Sequence, residues 1–143
     1  MTARVLNWRK SLVMIALVLA VAGAWIVPLA YAKISINTVD PTATVGPYGR
    51  YIRVTGPIAT DQKQPVILRV AVTQRSTGAV AEGYTALIAN ATQKQWTAHV
   101  FAVGWRSFEP GEATVVALAQ SRVPHQGPDD AHQWLVNVQL VEE

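Results

Sequence analysis

The chain has 143 residues, with 12 Lys/Arg against 9 Asp/Glu and a formal charge of +3. It has no cysteine, which excludes disulfides, thiolate metal sites, iron–sulfur clusters, cysteine nucleophiles and covalent haem attachment. Arg4, Arg9 and Lys10 hold the whole basic excess, because nine Lys/Arg face nine Asp/Glu from Lys33 onward; a balanced remainder without a basic run excludes a nucleic-acid footprint.

The first 32 residues read as a targeting segment. Residues 1–10 are basic and residues 11–32 carry no charge. Crossing a hydrocarbon core of roughly 30 Å takes about 20 apolar residues, which this run supplies. Trp8 flanks it on one side, and Trp25 and Tyr31 on the other; Trp8 and Trp25 stand 17 positions apart, about 25 Å along a helix. That spacing suits two aromatic belts at the membrane interfaces. The expectation is a retained signal anchor over 11–32, in contact with membrane lipid. Arg4, Arg9 and Lys10 are then cytoplasmic and residues 33–143 extracytoplasmic, at the periplasmic side or cell surface. The alternative is cleavage after Ala32, because Ala30-Tyr31-Ala32 is a small-x-small site.

From Lys33 the pattern changes to alternation. Val66, Leu68, Val70 and Val72 interleave with Ile67, Arg69, Ala71 and Thr73. The same period of two runs through 96–103, 113–120 and 134–141, with Trp96, Ala113 and Trp134 heading the rows expected to face inward. Weaker strands are expected at 33–38, 50–56 and 79–87. Turn chemistry separates them: a Pro/Gly/Thr-rich loop at 41–49, Arg75-Ser76-Thr77-Gly78, Glu109-Pro110-Gly111, and a polar loop at 123–132. No helix of useful length is expected outside 11–32.

Seven strands with regular turns predict an all-β sandwich. The Trp96 strand, the Phe108-Glu109-Pro110-Gly111 corner, the 113–119 strand and the closing 134–141 strand resemble the end of an immunoglobulin-like or fibronectin-III-like domain. The resemblance covers roughly residues 50–143 and is architectural; neither Cys…Trp…Cys nor a clear tyrosine corner is present. It implies a seven-stranded immunoglobulin-like sandwich behind one N-terminal transmembrane helix, a fold that hosts binding and scaffolding among many functions.

Chemistry-bearing residues are sparse. His125, Asp129, Asp130 and His132 cluster around one loop, but their spacing matches no metal motif, and a polar turn is the ordinary reading. His99 lies mid-strand, with Glu109 and Glu112 near the following turn; as a lone strand histidine it reads as a surface residue. No nucleophile elbow, phosphate loop or carboxylate pair is present. The expectation is therefore no catalytic residue, no cofactor and no metal. Asn90-Ala91-Thr92 matches a short glycosylation sequon. The corner 104–111 carries Trp105, Arg106 and Phe108, residue types favoured at interface cores. They are the candidate partner contact. Together these readings suggest a non-catalytic accessory or scaffolding subunit held beside larger membrane-protein subunits, or, after cleavage, a secreted or periplasmic binding module.

Overall fold

In the computed structural model, residues 33–121 and 130–143 are described. Eight strands occur among them: β1 (Ile34–Asn37), β2 (Thr42–Val45), β3 (Tyr51–Thr60), β4 (Gln64–Gln74), β5 (Ala79–Ala89), β6 (Lys94–Val103), β7 (Gly111–Ser121) and β8 (Asp130–Glu142). The four strongly alternating segments are strands and bury the expected faces. Val66 to Val72 in β4, Trp96, Ala98 and Val100 in β6, and the Ala113 row in β7 are all inside. In β8, Val138 and Leu140 are buried, whereas Trp134 and Val136 are half-buried against the same core.

Two features depart from the sequence reading. The loop expected at 41–49 contains β2 and a 3-10 turn at Pro47–Gly49. Four residues are too few to display a period; β2 exists because distant strands flank it. It pairs antiparallel with β3 and parallel with β8, through Thr42↔Gln139 to Val45↔Glu142. The second departure is closure. The pairing β1–β3–β6–β5 against β8–β7–β4 follows the immunoglobulin order, with β1 and β2 sharing the first strand's place. β5, however, pairs along its whole length with β4 and also with β6 through Val80↔Val103, Ala81↔Ala102 and Glu82↔Phe101. Seven strands therefore form a barrel-like ring, with β1 added on β3.

Gly83 marks where β5 leaves β6. A Cβ there would lie 2.6 Å from the His99 carbonyl oxygen and 3.0 Å from Val100 Cα. The two backbones cross too closely for any side chain, and pairing ends one residue earlier.

The ring encloses one apolar core, in which each fully buried Val, Leu or Ile contributes roughly 1.5–3 kcal/mol. β3 is about 30 Å long for its ten residues. Lys33 lies at one end of β3: its N–H donates to Asp61 Oδ1 at 2.7 Å, and the Ile34 N–H donates to Asp130 Oδ2 at 2.8 Å. The loops 46–50 and 104–110 lie at the other end. No helix among the described residues is long and apolar enough to cross a membrane. The expected span 11–32, with Arg4, Arg9, Lys10, Trp8, Trp25 and Tyr31, lies outside the described residues.

Candidate partner-binding site

The corner 104–110 is an irregular loop held from both sides. Arg50 ends the 3-10 turn and directs its guanidinium at three carbonyls. It donates to Gly104 O at 2.7 Å, Arg106 O at 3.0 Å and Ala102 O at 3.4 Å. A planar fork of five N–H donors suits this task. On the other side stands Gln74, buried at the end of β4. Its Nε2 donates to Glu109 O at 2.7 Å, and its Oε1 accepts from Glu109 N at 2.9 Å and Thr77 Oγ1 at 3.1 Å. A buried amide satisfied in this way fixes a loop, because leaving it unpaired costs about 1–3 kcal/mol.

On this fixed loop Trp105 is 81% exposed. The Arg106 guanidinium lies 4.6 Å from the Trp105 ring centroid and donates to Thr77 O at 2.9 Å. A cation–π contact at so exposed a site is worth about 0.5–1 kcal/mol. Phe108 is different. It is 3% exposed and belongs to the core, so its expected role as a partner contact is corrected. The turn residues around it gave no sign of this, because the backbone it packs beside comes from Gly49, far away in sequence.

Tyr48 was not expected at this site. It is 91% exposed and adopts φ +61°, the left-handed region that a tyrosine rarely occupies. Its loop is joined to the Trp105 loop by Phe108 N–H to Gly49 O at 3.0 Å and by the Arg50 contacts. The only signal in the sequence is an aromatic between Pro47 and Gly49. One end of the fold thus displays two exposed aromatics and a cation on two loops fixed to each other. Beside them Tyr51 donates to Glu143, a hydrogen bond that holds the Tyr51 hydroxyl above its ordinary pKa; Arg53 pairs with Glu143 at 3.3 Å.

Among the described residues the remaining candidates are not brought together into one group. His99 is exposed; its ring stands 6.1 Å from that of Tyr51, and it forms no ion pair with Glu109 or Glu112. His125 and Asp129 lie outside the described residues. Asp130 binds the Ile34 N–H and stands 3.7 Å from His132, a structural use at the start of β8. No group of three or more metal-ligating side chains occurs among the described residues. In the Asn90-Ala91-Thr92 turn, Asn90 Oδ1 accepts from the Thr92 N–H at 2.9 Å.

No family model and no curated protein matches the chain. Among solved structures the chain is similar to AggA, the major subunit of aggregative adherence fimbriae type I from Escherichia coli. The identity is 11% and the TM-score 0.40, over 77% of this chain and 95% of that one.

Proposed function

We propose that the protein is an exported, non-catalytic binding module, an accessory or scaffolding subunit tethered by residues 11–32 beside a larger membrane protein. It holds its partner at the end of the fold that carries Tyr48, Trp105 and Arg106. The observation that carries this reading is Trp105, exposed on a loop that Arg50 and Gln74 fix from both sides. A loop already fixed loses little backbone entropy on binding, and Trp and Arg are the residue types that dominate interface energetics. A charge-balanced domain is consistent with scaffolding. Lys33 and Trp105 lie at opposite ends of β3, so the partner is met about 30 Å from the start of the domain.

The test is site-specific photo-crosslinking in native membranes. A photoreactive side chain at position 48 or 105 should give a discrete adduct with a membrane protein, and one at Lys63, at the opposite end, should not. Absence of adducts from both 48 and 105 would remove this assignment.

A second reading is favoured by one observation. β1 begins at Ile34, two positions after Ala32, so cleavage there leaves the whole fold in the product. The protein is then a secreted or periplasmic binding module using the same end. Intact mass of the purified mature chain separates the two: a chain from Met1 supports the tether, and one from Lys33 supports release.

A further inference from the structure

The outward face of β6, β5, β4, β7 and β8 is not an ordinary wet sheet surface. A groove of about 950 Å³ runs across it. Ile67, Val116 and Leu118 line it, together with Tyr84 at 75% and Phe101 at 61% exposure. Leu135, opposite Val116 on β8, extends the apolar band. Contiguous apolar surface of this kind marks an interaction site.

Two opposite charges sit within the band. On the β4–β5 pair, Arg69 stands opposite Tyr84 and Ala71 opposite Glu82. Arg69 and Glu82 are therefore diagonal neighbours on one face, both exposed. The ion pairs among the described residues are Arg53–Glu143 and Asp130–His132, so Arg69 and Glu82 do not pair with each other. Among the described residues neither side chain has a hydrogen-bond partner.

We infer that this face is the contact between two copies of the chain, packed about a twofold axis lying in the plane of the face. An axis midway between Arg69 and Glu82 brings Arg69 of each copy over Glu82 of the other. One unpaired diagonal thus becomes two reciprocal ion pairs, the self-complementarity that an isologous interface requires. The other diagonal of the same four residues, Tyr84 and Ala71, falls close to the axis. There the two tyrosine rings meet and the small alanines leave room for them. Ile67, Leu118 and Phe101 then enclose the charges and exclude water, which strengthens each pair. Tyr48, Trp105 and Arg106 do not line this groove.

The test is sedimentation equilibrium of the full-length protein in density-matched detergent. The wild type should dimerise. R69E and E82R should each weaken the dimer at least tenfold, because each places like charges in contact twice. The double variant R69E/E82R should restore it, with all forms melting alike. If a charge reversal does not fold, R69Q and E82Q remove the same pairs without adding like charge. A monomeric wild type, single reversals that dimerise as well as wild type (as they would if residues 11–32 drove association), or a double variant that stays monomeric would overturn the inference.

Discussion

The backbone of Phe108 occupies the space that a side chain on Gly49 would need. A Cβ on Gly49 would lie 2.2 Å from the Phe108 carbonyl oxygen, while the Phe108 N–H donates to the Gly49 carbonyl at 3.0 Å. Gly49 also has φ +63°, so an added methyl meets backbone strain and a backbone clash at once. Gly49→Ala should cost more than about 2 kcal/mol in chemical denaturation. Unchanged unfolding would mean that the two loops are not docked.

Phe108 and Trp105 are three residues apart and should respond in opposite ways. Phe108→Ala empties a buried site and should destabilise the fold by about 3–5 kcal/mol. Trp105→Ala should leave the melting temperature within a degree or so and weaken partner binding by about 2–4 kcal/mol. Thermal melts paired with co-purification of the partner measure both.

Tyr48 holds a strained conformation with its ring in solvent. Asparagine tolerates that φ far better. Tyr48→Asn should therefore keep or raise stability, by up to about 1 kcal/mol, while losing adducts at this end of the fold. A marked fall in stability would show that the ring supports the fold.

Gln64 is buried, and among the described residues neither atom of its amide group has a hydrogen-bond partner. An unmet buried amide costs about 1–3 kcal/mol. Gln64→Met keeps the volume and removes the polar atoms, so the midpoint of denaturant unfolding should rise. A lower midpoint would imply that the amide is satisfied in solution.

The two tryptophans heading inward rows should differ. Trp96 is buried and donates from its indole to Asn37 Oδ1 at 3.3 Å, whereas Trp134 is half-buried, its ring centroid 5.9 Å from that of His132. Trp96→Ala should cost about 3–5 kcal/mol and Trp134→Ala distinctly less. Equal losses in denaturant titrations would place both rings in the core.

The core was legible because burial writes itself into alternation: Val66 to Val72 and the Ala113 row needed no partner to be read. What depends on register was not. Ile67, Phe101, Val116, Leu118 and Leu135 were visible as the opposite rows of four strands. That these rows meet in one apolar band follows only from which strand lies beside which. The same holds for Phe108, Tyr48 and Arg50, whose positions are set by contacts between segments some fifty residues or more apart. Trp105 and Arg106 are picked out as candidates from residue type and turn position, because an exposed turn makes little demand for core residues; Trp105 is indeed exposed there.

The placement of Lys33 and Trp105 at opposite ends of β3 has a mechanical side. If the proposed tether and partner carry a load between them, it pulls along the strands. The backbone bonds joining β1 to β3 lie across that direction, so they are stressed together in shear and do not open one at a time like a zip. Asp61 and Asp130 grip the backbone of Lys33 and Ile34 at the point where peeling would begin. Under the proposed tether these few bonds would share the load and not break in turn.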